Sequence, residues 1–200
     1  VMGLPLGVYS AVKQYSKSDS FLRVASTVLV AMPTFWLAML LILIFSLNLG
    51  WLPSGGITYG WTSYILPTIT VGVPYGSKIL RMTRSTMLEE IRQDYVRTAR
   101  SKGIPENTII YKHALKNALL PVITTIGSSF GAILGGSVIA ESVFNLPGLG
   151  NLIVLSIEAK DTPCVLACVL LLAFFFAVIM LAVDLVYAFI DPRIKAKYAK

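Results

Sequence analysis

The stretch DYVRTARSKGIPENTIIYKHALKNALLPV, residues 94–122, is the longest polar interruption in an otherwise oily chain, and its reading decides the fold. Leading into it, Leu88, Ile91, Tyr95 and Ala99 recur at steps of three and four, the spacing of one helix face, while Arg92, Gln93, Arg97 and Arg100 fall elsewhere. Gly103 supplies a C-terminal stop. Pro105 and Glu106 then suit the first turn of a second helix, where a missing N–H costs nothing and a negative charge is favoured. In that helix Thr108, Lys112 and Lys116 form a polar stripe, with Ile110, Tyr111, Ala114 and Leu115 opposite. The pattern predicts helix, tight turn, helix, lying at a membrane surface and running into an apolar span. A plain connector needs neither the length nor the pattern.

The rest of the chain is a membrane composition. Of its 200 residues, 56% are hydrophobic and 14% charged, with mean hydropathy +0.74; a soluble domain carries about a quarter charged residues. Residues 24–49, 64–82, 118–140 and 163–183 read as four spans, each near the about 20 residues that cross a bilayer. Residues 1–11 are apolar but short, and residue 1 is expected to fall inside a span that begins earlier. Gly50 opens a charge-free segment holding Trp51, Tyr59 and Trp61, an interfacial composition. Small residues at 127, 131 and 135 repeat every fourth position and invite close helix packing, either within the chain or against a second subunit. Residues 141–161 turn polar and amphipathic before the last span.

The net charge of +7 suggests nucleic acid until the cations are placed. Every Lys and Arg except Lys160 falls before residue 24, between 78 and 116, or after 192, on the side of the central polar stretch. The positive-inside rule puts that stretch and the C-terminus in the cytoplasm, so the basic balance is a topology signal and a nucleic-acid partner is not expected. Cys164 and Cys168, a helical turn apart in an apolar run, read as packing residues. No P-loop pattern is present, so ATP hydrolysis by this chain is not expected.

The central stretch resembles the cytoplasmic coupling loop of permease subunits from bacterial ATP-binding-cassette (ABC) importers, whose pattern is Glu-Ala-Ala, three residues, Gly, nine residues, Ile-x-Leu-Pro. Here Arg97-Thr98-Ala99 precedes Gly103 at that spacing; Arg97 replaces the Glu and Lys116 the final Pro, with Leu120-Pro121 following. These departures look like the dipeptide, oligopeptide and nickel branch. Pro33-Thr34-Phe35-Trp36, GWLP at 50–53, ESVFNLPGLG from Glu141 and DLVYAFIDPR from Asp184 agree, in order along nearly all of the chain.

The resemblance implies an all-α polytopic transmembrane bundle of the type I ABC importer permease fold. It would have at least four full spans plus part of another, in a single permease domain over residues 1–200, with an N-terminal span and following segment missing. It implies a bacterial inner-membrane location and the import of di- or oligopeptides. Partners would be a sister permease, as a heterodimer, two ABC ATPase subunits, an extracytoplasmic binding protein and membrane lipid. No cofactor or metal is expected on this chain; ATP and Mg would be used by the ATPase subunits. The coupling loop would lie within residues 88–117 and use Tyr95, Arg97, Thr98, Ala99, Lys102, Gly103, Pro105, Glu106, Lys112, His113 and Leu115, with Ala99 small to fit against the partner. Arg92, Arg97, Arg100 and Lys102 would otherwise hold anionic lipid headgroups. Pro33, Phe35, Pro67, Pro74 and Tyr75 are candidates for the translocation path or its hinges. Nickel or a nickel chelate is the second substrate reading, with selection resting largely on the binding protein.

Two ionisable residues carry rival readings. Asp184 would pair with Lys78 or Arg81, or else act as a proton relay. His113 lies on the coupling stretch with no second His in the chain, which favours a docking or helix-surface residue over a metal ligand. An ion-driven secondary transporter would call for midplane carboxylates or inverted repeats, and neither is evident.

Overall fold

The computed structural model describes residues 2–190, apart from the side chains at 134–136 and 187–190. Val1, the end of the DLVYAFIDPR segment and the basic tail at 193–200 lie outside the described residues, as do any contacts of Gly135 and Gly136. Among the described residues there is no strand. The helices are α1 (Gly3–Val12), α2 (Lys17–Ala31), α3 (Thr34–Leu41, prolonged by a wide π-helical stretch, Ile42–Asn48), α4 (Ile65–Ile91, entered through a 3-10 turn, Gly60–Tyr64), α5 (Asp94–Ser101), α6 (Glu106–Thr108, leading into a π-helical stretch, Ile109–Ala114), α7 (Leu115–Val143), α8 (Leu149–Glu158) and α9 (Thr162–Ile190).

The expected spans differ in how they are built. Thr162–Val186 is long and apolar enough to cross a membrane by itself. The span expected over 24–49 is broken, with Lys17–Ala31 and Thr34–Asn48 meeting at 105°. Pro33 is the reason: it has no N–H to continue α2, its own backbone is extended (φ −61°, ψ 136°), and it caps α3 instead. Glu106–Ile133 and Ser137–Val143 form a second bent pair, at 45°. Counting each bent pair as one span gives up to three by length and composition. α4 has the length, 27 residues, but Lys78, Arg81 and Arg84 interrupt its apolar run.

The described chain divides into two compact units. The first holds residues 2–30, 75–128 and 182–190. Its interior is Val8, Ala11, Met87, Ile110, Ala114 and Ala118, with Leu88, Ile91 and Leu115 packed against them. α1 reaches α4 through glycines at a four-residue spacing. A Cβ at Gly3 would overlap the Gly76 carbonyl oxygen, and one at Gly7 would lie 2.6 Å from Thr83 Cβ and 2.7 Å from the Leu80 carbonyl oxygen. Close approach offsets the about 1 kcal/mol that Gly costs inside a helix.

At the turn from α1 to α2, Asp19 is completely buried and saturated with donors. Arg84 of α4 reaches it with Nε at 2.7 Å and Nη2 at 2.9 Å, Ser10 Oγ donates at 2.6 Å, and the Tyr15 N–H donates at 3.1 Å. A buried carboxylate persists only with such pairing. Its partner lies 65 positions away, beyond any local pattern.

The second unit holds residues 31–74 and 129–181. Ala38, Leu66, Phe144 and Leu146 form its interior, and the aromatic loop is tied to it by Gly56 N–H donating to the Phe144 carbonyl at 2.8 Å. Trp51, Tyr59 and Trp61 stay exposed. The segment from Glu141 is a self-capping corner. α7 ends on Asn145 in the left-handed region (φ 49°), with Asn145 N–H donating to Ser142 and Leu146 N–H to Glu141. The Glu141 carboxylate then accepts the Asn151 N–H at 3.1 Å, satisfying the N-terminus of α8.

The small-residue stripe of α7 packs within the chain where it is described. Cβ atoms at Gly127 and Gly131 would collide with the side chains of Val183 and Phe176 on α9. Cys168 is buried and Cys164 accepts a hydrogen bond from Ser156 Oγ at 3.1 Å, so both sit in packing positions. Asp184 is exposed, and among the described residues neither Lys78 nor Arg81 comes within ion-pair distance of it.

Candidate functional site

The central stretch folds as an elbow with its own small core. The expected first helix is two: α4 ends at Ile91, Gln93 is extended (ψ 153°), and α5 starts afresh at Asp94. Leu88 and Ile91 therefore pack into the interior of the first unit, while Val96, Ala99 and Ile109, with Ile104 beside them, make a separate apolar cluster. Ala99 is turned inward to this cluster rather than outward to a partner, and its small size serves the fit of α5 against the π-helical stretch.

Gly103 closes α5 as the sequence predicts. Its φ is 75°, its N–H donates to the Arg100 carbonyl at 2.9 Å, and the Ile104 N–H donates to the Ala99 carbonyl at 3.3 Å. This paired closure needs the left-handed region, which Gly enters freely. Pro105 follows, extended and exposed, so the second helix starts at Glu106. Glu106 does more than favour a helix start. Arg100 Nη2 and Nε donate to its two carboxylate oxygens at 2.6 and 3.1 Å, a fork that bridges the elbow across Gly103. The Arg100 bond holds the Glu106 carboxyl below the usual range and raises the Arg100 guanidinium. Both groups are largely exposed, so the bridge orients the turn more than it stabilises it.

The second helix departs from the predicted face. Ile109, Ile110 and Ala114 are buried, but Tyr111 is 60% exposed. The cause is the π-helical winding of Ile109–Ala114, which advances the surface differently from the 3.6-residue turn assumed from sequence. Lys112 and Lys116 remain exposed, His113 is half-buried, and Leu115 packs into the unit's interior. Tyr95 ties the base of the elbow together. Its hydroxyl donates to Glu90 at 2.6 Å and accepts from Asn117 Nδ2 at 3.2 Å; burial, and then the Glu90 bond, push it up to about 12.

Arg97, Thr98 and Lys102 stand on the exposed side. Arg97 meets Asp94 only at 3.8 Å, with 75% of its side chain exposed, leaving it available. Arg92, Arg97 and Arg100 also border a cavity of about 420 Å³ against Ala11 and Leu88. Among the described residues no group of three His, Cys, Asp or Glu gathers in metal-binding array.

The path candidates fall on other elements. Pro33 makes the bend before α3, where Phe35 is exposed. Pro67 is buried in the first turn of α4, where its missing N–H breaks no helix bond. Pro74 lies inside α4, removing one bond from an otherwise continuous helix, and half-buried Tyr75 follows it.

The chain is 44% identical over 200 residues to the "Glutathione transport system permease protein GsiC" of Pectobacterium atrosepticum, covering 98% of this chain and 64% of the relative. It is 43% identical over 197 residues to the protein of that name from Salmonella typhimurium, and 42% to that of Escherichia coli K12, at the same coverage. The chain thus spans 64% of the length of these relatives. Residues 3–196 match the family whose all-helical fold is that of type I ABC importer permeases. With a match over nearly its whole length, the chain belongs to the family of binding-protein-dependent transport system inner membrane components.

Proposed function

We propose that this chain is a permease subunit of an ATP-driven importer and forms part of the translocation path for di- and oligopeptides. The observation that carries the reading is the elbow at residues 94–117. It encloses its own core of Val96, Ala99 and Ile109, yet leaves Arg97, Thr98, Lys102 and Lys112 outward. A segment that is folded by itself and polar outside suits insertion into the groove of a partner ATPase. There Gly103 sets the turn, and the Arg100–Glu106 fork keeps the two arms at a fixed angle. ATP and Mg belong to two such ATPase subunits; this chain supplies the moving spans.

A sister permease completes the path as a heterodimer, and an extracytoplasmic binding protein delivers cargo. Among the described residues every Lys and Arg except Lys160 falls in the first unit, which supports a cytoplasmic side for the elbow. The second unit offers the aromatic loop and the Glu141 corner for the binding protein. The relatives are named for glutathione, a tripeptide, which favours peptides over nickel. The test is uptake of a radiolabelled peptide by proteoliposomes holding the complete transporter. Uptake should require both ATP and the binding protein; uptake driven by an ion gradient without ATP would overturn the proposal.

A further inference from the structure

α4 carries three cations within two turns, and the fold sends them in two directions. Arg84 turns to the buried Asp19. Lys78 and Arg81 stand three residues apart, Ser85 four further on, so the three share one stripe of the helix. They line an open cavity of about 440 Å³ closed by Val30 of α2, Met82 of α4 and Thr125 of α7. Among the described residues the ion pairs are Arg84–Asp19, Arg97–Asp94 and Arg100–Glu106, and no described carboxylate answers Lys78 or Arg81. Lys78 is the central residue of α4, and Tyr75, a candidate for the path, lies one turn before it on the same stripe.

Two neighbouring cations that line a cavity without a carboxylate partner are suited to receive an anionic ligand. The volume falls in the range of about 300–1,000 Å³ that small-molecule sites occupy. We infer that the Lys78–Arg81 cavity is an anion site that takes a carboxylate of the peptide cargo. This rests on the peptide-importer reading above and names what that importer recognises along its path. The guanidinium offers a fork for the two carboxylate oxygens and the ammonium adds a second charge, while Val30 and Met82 give apolar wall to the rest of the ligand. Every linear peptide has a terminal carboxylate whatever its side chains, so such a site serves varied sequences. A polybasic lipid-binding surface gathers about four to eight cations; here two line a cavity bordered by α2, α4 and α7, and the lipid composition of the vesicles separates a lipid headgroup from a peptide carboxylate.

The test uses the complete transporter in proteoliposomes, with binding protein preloaded with trialanine or with trialanine amide, and reads the selectivity for acid over amide as a ratio of kcat/KM. Lys78→Gln and Arg81→Gln should each lower that ratio about tenfold, through KM for the free acid, as expected for losing one charge-assisted bond. Lys78→Arg should keep it. A variant that merely misfolds lowers both substrates together and leaves the ratio where it was, so an unchanged ratio in both Gln variants overturns the inference. So does a loss that follows removal of phosphatidylglycerol from the vesicles and is the same for acid and amide, which would assign the cavity to lipid. Wild type that carries neither peptide refutes the importer reading instead.

Discussion

Arg84→Met is the perturbation that the first unit should feel most. Asp19 has no exposed surface and Arg84 has 15% of its side chain exposed, so the pair is effectively inside the protein. Removing the guanidinium strips two of the four donors from the carboxylate and leaves Ser10 and the Tyr15 N–H against a buried negative charge. Breaking a buried pair on one side costs about 3–5 kcal/mol. Asp19→Asn should cost less, because the amide oxygen keeps the Tyr15 bond and Arg84 retains a route to solvent. The double variant should recover part of the loss, with a coupling of up to about 3 kcal/mol. The assay is the thermal midpoint of the detergent-solubilised protein for the two single variants and the double, with Arg84→Lys as a fourth; lysine keeps the charge without the fork and should fall between wild type and Met. A cost for Arg84→Met below about 1 kcal/mol, the scale of exposed pairs, or strictly additive single effects, would refute the buried lock between the α1–α2 turn and α4.

Other outcomes follow from the same geometry. Gly103→Ala has open space around its Cβ, so its cost is the left-handed backbone alone, about 1–2 kcal/mol before a partial offset from the unfolded chain; faster hydrogen exchange at Ile104 N–H would report it. Gly7→Ala puts a methyl against Thr83 and the Leu80 carbonyl, and should lower stability by about 1–3 kcal/mol, whereas Gly76→Ala, which meets nothing, should be mild; melting of the two variants side by side checks this. Tyr95 holds its proton up to about 12 when folded, against about 10 for a free phenol. Its contribution is therefore fully present below about pH 10 and lost as pH rises toward about 12; tyrosinate absorbance of wild type against Tyr95→Phe should show a late-titrating phenol in wild type only. Lys160 sits at φ 57° where α8 ends, so Lys160→Gly should be neutral or stabilising in the same melts despite removing a charge.

How legible was this in the sequence? The Gly103 turn and the apolar runs were readable because each is a local effect of backbone freedom or burial, whereas Pro105, expected inside the first turn, stays extended just before the helix that Glu106 begins. The bend at Pro33 was half readable: a kink is implied by the missing N–H, but 105° depends on how the flanking helices pack. The outward Tyr111 was not, since helix-period reasoning assumes 3.6 residues per turn and the π-helical stretch violates it. Gly3 and Gly7 have a four-residue spacing, but in a segment too short to look like a span that spacing names no partner helix. The Asp19–Arg84 pair left no local trace, and the inward turn of Ala99 followed only once α4 and α5 proved to be separate helices. The Lys78–Arg81 stripe was visible as spacing, but the cavity it faces needed α2 and α7 in place.

The central claim is that the elbow at 94–117 is gripped by an ATPase subunit. The direct measurement is co-purification of the tagged chain from native membranes, identified by mass spectrometry, comparing wild type with Gly103→Asp. The account predicts ATPase subunits with wild type and their loss from a variant that still inserts and still holds its sister permease. Retention of the ATPase subunits by Gly103→Asp at wild-type yield, or their absence from wild type, would contradict it.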